Sequence, residues 1–250
     1  MNRKRMMGFG LLLCGSVCVH NWNAQAYTPE KGSTVEKKTK ANWMPKADST
    51  LPNVLILGDS ISIGYTLSVR TRLAGKANVY RPCSANGKKV KNCQGTTAGV
   101  QKIDHWLGNR KWDVIHFNWG LHDLKHVDPK TKKNSTSFDD PQQADPTTYH
   151  KNLTKLVIKL KATGAKLIFA TTTPYPAGPQ GPARDPADAK RYNDIALKIM
   201  QANGVQVNDL YALCDGKLDE LQLSKNVHFK PAGRELQAKA VAEVIEAVLP

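Results

Sequence analysis

Cysteine, aromatic residues and acidic charge are all scarce in this chain, and each scarcity excludes something. There are 5 Cys in 250 residues and no two are spaced as Cys-x-x-Cys, so the paired ligands of a structural zinc site and the redox pair of a thioredoxin-type protein are both missing. No metal or other cofactor is expected. Aromatic residues make up 7%, and 36 Lys and Arg outnumber 21 Asp and Glu for a formal charge of +15. The basic residues are dispersed among Glu, Gln and Asp rather than interleaved with aromatics in one stripe, which argues against a nucleic-acid partner. Past the first twenty residues nothing approaches the roughly 18 consecutive apolar residues of a membrane span.

What is present suffices for one sizeable core, with 40% hydrophobic residues and a length that favours a single domain. The first 26 residues read differently. Arg3-Lys4-Arg5, an apolar run from Met6 to Val19 and then Ala24-Gln25-Ala26 form the basic, apolar and small-residue regions of a secretory signal peptide. A secreted or periplasmic location after its removal, with no membrane anchor, is the expectation. Residues 27–51 are rich in Lys, Thr, Ser and Pro and read as a linker packing only through Trp43. The domain is expected over 52–250. Removing the leader takes Cys14 and Cys18 with it and leaves Cys83, Cys93 and Cys214, for which one disulfide and one buried thiol is the simplest arrangement in an oxidising compartment.

From Pro52 the pattern becomes regular. Val54–Leu57, Val114–Phe117, Leu167–Ala170 and Val205–Val207 are short, mostly continuous apolar runs, with Ala77–Arg81 as a fifth, as strands buried on both faces require. Helical patterns lie between them. Asp145-Pro146 opens one that Gly164 closes, Asp185-Pro186 opens another that leads to Gly204, and Pro231 starts the last. This alternation predicts an α/β fold with a parallel five-stranded sheet between two helical layers, and ligands at the carboxyl ends of its strands. Lys125–Thr148 is a polar loop longer than a connection alone needs.

The first strand runs into Gly58-Asp59-Ser60 and then a helix, a turn that puts a serine hydroxyl at the sheet edge and its N–H at a helix N-terminus. Three more segments follow in order: Asn92-Cys93-Gln94-Gly95-Thr96-Thr97, Asn118-Trp119-Gly120-Leu121-His122-Asp123 and Val227-His228-Phe229-Lys230-Pro231-Ala232-Gly233. With these four blocks in place the chain resembles the SGNH, or GDSL, hydrolase superfamily, from about Leu51 to the C-terminus. It is also similar to a bacterial subgroup carrying His-Phe-Asn-Trp-Gly-Leu-His-Asp and Ala-Thr-Thr-Thr-Pro, here at His116–Asp123 and Ala170–Pro174.

The resemblance implies a flavodoxin-like sheet, Ser60 as nucleophile and His228 as general base. It implies oxyanion donors at the Ser60 N–H and the Gly95 N–H, or the Gln94 N–H in a register one residue earlier. The third donor shows a departure, because His122 stands where the family has asparagine. A second lies three residues before the catalytic histidine, where Lys225 replaces the family's aspartate and Asn226 follows it. The lost carboxylate would orient the imidazole; a backbone carbonyl is the expected replacement, with Asp215 or Asp219 as alternatives. Trp119, Tyr175 and Arg184 fall on strand-end loops and could line a sugar site. Cys83 is expected to pair with Cys93 around the block-two loop, with Cys93–Cys214 as the other pairing. His116 is expected to pack within the sheet.

The implied activity is a serine ester hydrolase acting through an acyl-enzyme, most concretely an esterase releasing O-acetyl groups from a carbohydrate. A lipase or arylesterase of the same fold, and a polysaccharide-binding protein weakened by loss of its triad acid, are the alternatives. The cations Lys88, Lys89, Lys91, Lys125, Lys130, Lys132, Lys133, Arg184, Lys225 and Lys230 belong to loops expected at the strand ends, which suits an anionic polysaccharide.

Overall fold

The computed structural model describes residues 42–178 and 181–250. The signal-peptide reading and most of the linker lie outside the described residues. Within them the chain runs β1 (Asn53–Leu57), α1 (Ser60–Arg72), β2 (Asn78–Tyr80), α2 (Thr96–Leu107), β3 (Val114–Phe117), α3 (Pro146–Lys161), β4 (Lys166–Ala170), α4 (Pro186–Asn203), β5 (Gln206–Asn208), α5 (Leu210–Cys214), α6 (Leu218–Leu221) and α7 (Pro231–Glu246). The strands form one sheet in the order β2-β1-β3-β4-β5, every neighbour parallel. This is the expected flavodoxin-like order.

Alternation along each strand divides the core in two. Leu55, Leu57, Ile115, Phe117, Leu167 and Phe169 face α2, α3 and α4, meeting Ile103, Leu153, Leu156, Tyr192 and Ile199. Val54, Ile56, Val114, Ile168 and Ala170 face α1 and α7, meeting Val69, Leu73, Ala238, Val241 and Ile245. Both faces are covered, which is why the strand runs lack polar alternation. Burial of each large apolar side chain contributes roughly 1.5–3 kcal/mol. His116 sits in the second layer, fully buried, with Tyr65 edge-on at 6.3 Å and Asn208 Nδ2 at 3.3 Å from its Nε2. Burial lowers its pKa to about 3, so it packs as a neutral ring.

The helix ends follow the sequence signals. Asp145 caps α3 by accepting from the Thr147 and Thr148 N–H groups at 2.8 and 3.0 Å, and Asp185 caps α4 through the Ala187 N–H at 2.9 Å. Each has proline at the first helical position. The long polar loop is folded rather than loose: His126 bridges Gln142 and Val127 bridges Asn134. The described end of the linker packs through more than Trp43, because the Asn78 amide also donates to the Asp48 and Leu51 carbonyls at 2.7 and 3.1 Å.

Neither expected disulfide forms; Cys83, Cys93 and Cys214 are all free. Backbone closes the segment between Cys83 and Cys93: Cys83 bridges Val90, and the Ser84 and Lys91 N–H groups reach the Lys89 and Pro82 carbonyls at 2.7 and 2.9 Å. Cys93 instead packs in the core under α2, and Cys214 lies in a separate cluster with Leu221 and Phe229. Burial raises both thiols to about 11, so neither is a ready thiolate. Alkylation of the unfolded, unreduced protein should label all three positions; a Cys83–Cys93 peptide in the digest would contradict this arrangement.

Candidate active site

The site forms at the carboxyl ends of β1, β3 and β4. Strand β1 is followed by Gly58, where a Cβ would come within 2.8 Å of Ser62 Oγ, so the strand can turn into α1 this tightly only without a side chain. Asp59 is the helix cap, its Oδ1 accepting from the Ile61 N–H at 2.9 Å. Ser60 is therefore the first residue of α1, with its N–H at the helix N-terminus and without a hydrogen-bond partner among the described residues.

Ser60 Oγ lies 2.9 Å from His228 Nε2. His228 Nδ1 lies 2.7 Å from Asn226 Oδ1, and the same oxygen accepts from the His228 backbone N–H at 3.0 Å. A backbone N–H can only donate, so the atom facing it is the amide oxygen. Nδ1 must then carry the proton, which leaves Nε2 free to accept the one from Ser60. The expected backbone carbonyl is thus not the substitute for the missing carboxylate; the Asn226 side chain is. Asp215 and Asp219 do not reach the ring either: both are exposed, and Asp219 engages Lys230 Nζ through its carbonyl at 2.6 Å. Lys225, at the family's acid position, is exposed with φ 49° in the turn that Leu223 closes on the His228 carbonyl at 3.0 Å.

The expected oxyanion donors lie on two loops joined by Asp123. Gly95 caps α2, and its N–H has no partner among the described residues, whereas the Gln94 N–H is already committed to Asn92 Oδ1 at 2.7 Å. Of the two expected positions, Gly95 is the one whose N–H stays unengaged among the described residues. Asp123, fully buried, accepts from the Thr96 N–H at 2.7 Å and from the Thr96 hydroxyl, which pins the start of α2 to the block-three loop. Burial raises its carboxyl to about 7 against the pull of these Thr96 bonds. In that block Gly120 packs so close to the loop after β4 that a Cβ would sit 2.1 Å from Thr172 Oγ1. Burial lowers the His122 imidazole to about 4; Lys125, Arg184 and His228 push the same way and Asp59 opposes them. A ring held neutral at physiological pH is a neutral N–H donor, which is what the asparagine it replaces would supply.

A third joint was not singled out from the sequence. Arg81 is buried, and its Nη2 donates to the Gly58 and Lys91 carbonyls at 3.0 and 3.2 Å. Its Nη1 reaches Ser62 Oγ at 3.1 Å and Thr66 Oγ1 at 2.9 Å. One guanidinium thus fastens the Ser60 turn to the loop that leads into Gly95. Its only signal in the sequence is a charge closing an apolar strand.

The proposed sugar-lining set does not assemble. Trp119 is 1% exposed and packs on Phe117, with Nε1 directed at the Cys93 carbonyl at 3.4 Å. Tyr175 is 2% exposed and its hydroxyl donates to the Asp185 carbonyl at 2.8 Å. Both belong to the core layer that the strands share with α2, α3 and α4. Arg184 is also buried, but it lies against the block-three loop, its Nε donating to the Leu121 carbonyl at 3.1 Å.

A general model of the GDSL-like lipase/acylhydrolase family matches residues 56–236. The chain belongs to that family. The fold is that of the SGNH hydrolases, and the family makes the protein a serine ester hydrolase. Among solved structures the hydrolase resembles a lipase/acylhydrolase from Enterococcus faecalis, with 21% identity and a TM-score of 0.61 over 80% of this chain and 97% of that one. It also resembles Axe2, an acetylxylan esterase from Geobacillus stearothermophilus (18% identity, TM-score 0.60, 78% and 94% covered). A third is the acetyl xylan esterase AlAXEase (16% identity, TM-score 0.59, 77% and 99% covered). No curated protein sequence matches the chain.

Two substitutions test the geometry. His122→Ala should lower turnover on the order of 100-fold, as loss of one oxyanion donor does, with His122→Asn retaining more; equal rates for wild type and the alanine variant would place His122 outside the oxyanion hole. Asn226→Ala should lower kcat roughly 100-fold or more by freeing the imidazole tautomer. Asn226→Asp keeps both hydrogen bonds and adds charge opposite the developing imidazolium, so its kcat should equal or exceed that of wild type; a loss as large as that of the alanine variant would contradict the assignment.

Proposed function

We propose that the protein is an exported esterase that removes small acyl groups, acetyl first, from a carbohydrate. The observation that carries the reading is the Ser60 Oγ to His228 Nε2 contact at 2.9 Å, with the imidazole tautomer fixed by Asn226. Ser60 attacks the ester carbonyl as His228 takes its proton, and the oxyanion rests on the Ser60 and Gly95 N–H groups and on His122. His228 then gives the proton to the leaving alcohol, and the acyl-enzyme forms. Water, deprotonated by the same imidazole, attacks it and releases the acid and free Ser60.

Three features favour a small acyl group on a sugar. Among the described residues the exposed large apolar side chains Met44, Val100, Phe138, Ile158, Val207 and Leu223 are scattered over separate elements, whereas binding at a lipid surface calls for a contiguous patch. Two similar folds carry the name acetylxylan esterase. Export, read from Met1–Ala26, suits a polymeric substrate. An anionic polysaccharide is the finer reading. Lys88, Lys89, Lys91, Lys130, Lys132, Lys133 and Lys225 are exposed and enter no ion pair among the described residues, so their field is left to attract a polyanion.

Purified protein should hydrolyse an aryl acetate, and Ser60→Ala should reduce that by several orders of magnitude while the fold persists. Acetate release from an acetylated anionic glycan should fall steeply with added salt, since exposed charges are screened beyond roughly 8 Å at physiological ionic strength. Neutral aryl acetate hydrolysis should hardly change. Near wild-type turnover by Ser60→Ala would refute the mechanism, and a neutral acetylated glycan preferred at every salt concentration would refute the polyanion.

A further inference from the structure

Two buried cations stand beside the candidate site. Arg184 is 7% exposed and Lys125 is 9% exposed, and neither enters an ion pair among the described residues. Arg184 is fixed through Nε on the Leu121 carbonyl, one residue before His122. Tyr175 holds the next residue by donating to the Asp185 carbonyl, and the neighbouring Pro174 carbonyl accepts from Gln222 Nε2 at 2.6 Å. Gln222 in turn bridges Phe229, which follows His228. The guanidinium is thus tied to the segment that carries His122, and the backbone beside it is linked through Tyr175 and Gln222 to the one that carries His228.

Its Nη groups have no hydrogen-bond partner among the described residues. Lys125 uses one of its three donors, on Asn134 Oδ1 at 2.8 Å. Burial, and then the nearby Arg184, lowers the Lys125 ammonium against the pull of Asp123, and both cations add to the burial that keeps His122 neutral. Asp59 is the carboxylate whose field reaches Arg184, and its Oδ1 is engaged as the α1 cap. Removing like charges from water without partners is costly, and a bound anion would offset that cost.

We propose that Arg184, backed by Lys125, forms an anion-binding subsite beside the oxyanion donors, so that the preferred esters carry a carboxylate or sulfate close to the scissile bond. A guanidinium anchored by Nε presents its Nη pair as a planar fork, which matches either group. The proposal rests on the esterase reading above and deepens it: the outer lysines act through a screened field at a distance, whereas Arg184 contacts the anion directly. The anion can sit on the acyl or the alcohol side of the ester.

Two matched pairs of esters test this: 4-acetoxybenzenesulfonate against 4-acetoxybenzenesulfonamide for the alcohol side, and 4-nitrophenyl hydrogen glutarate against its methyl ester for the acyl side. In about 0.5 M NaCl, where exposed charges are screened within a few ångströms, wild-type kcat/KM should favour the anionic member of one pair on the order of 10- to 100-fold, as charge-assisted bonds do. The pair that responds identifies the side. Arg184→Gln should bring that ratio close to one, Arg184→Lys should keep part of it, and Lys125→Gln should lower it. Ratios near one in both wild-type pairs, or a ratio that survives Arg184→Gln in a protein that melts cooperatively, would overturn the subsite while leaving the esterase intact. Failure to hydrolyse any of the four esters would overturn the esterase reading and this proposal with it.

Discussion

The geometry of the site hangs on one carbonyl oxygen, that of Gly58. It accepts from the Cys93 N–H at 3.1 Å and from Arg81 Nη2 at 3.0 Å, and so joins the end of β1 to the loop that leads into α2. The serine turn and the Gly95 donor are separated by more than thirty residues of sequence, yet two bonds to one atom set their spacing. Arg81 is an expensive way to do this, because a buried guanidinium with no ion-pair partner among the described residues must recover its desolvation from its hydrogen bonds and the more distant field of Asp59. Four of its bonds go to Gly58, Ser62, Thr66 and Lys91, so that cost is met only when the two loops are in register.

Much of the fold was legible because the strands and helix ends obey local rules. The continuous apolar runs give strands buried on both faces, and Asp-Pro at 145–146 and 185–186 gives capped helix starts. Residues that depend on packing were not legible. Trp119 and Tyr175 sit on loops by sequence position, but those loops turn inward and carry the rings into the core. The cysteine pairing failed for a related reason: Cys83 and Cys93 are close in sequence, but the backbone bridge between Cys83 and Val90 closes the intervening segment without them.

At the site, the blocks in order pointed to Ser60, Gly95, His122 and His228, and the structure brings their segments to one sheet edge. The orienting group was missed because it moved by one residue. A pattern three residues before the histidine finds Lys225, whereas the turn presents the side chain two residues before it, Asn226. The positioning roles of Asp123 and Arg81 were hidden because their partners, Thr96 and Gly58, lie far along the chain.

That displacement changes how the base is held. Asn226 Oδ1 grips both the backbone N–H and the ring N–H of His228, so the base and its orienting group share a span of three residues. The imidazole arrives already in register with its own main chain. A motion that carried the Leu223–His228 turn away from Ser60 would carry the tautomer with it intact, and the base would return with the proton on the correct nitrogen. A carboxylate on a distant loop would have to be met again at every closure.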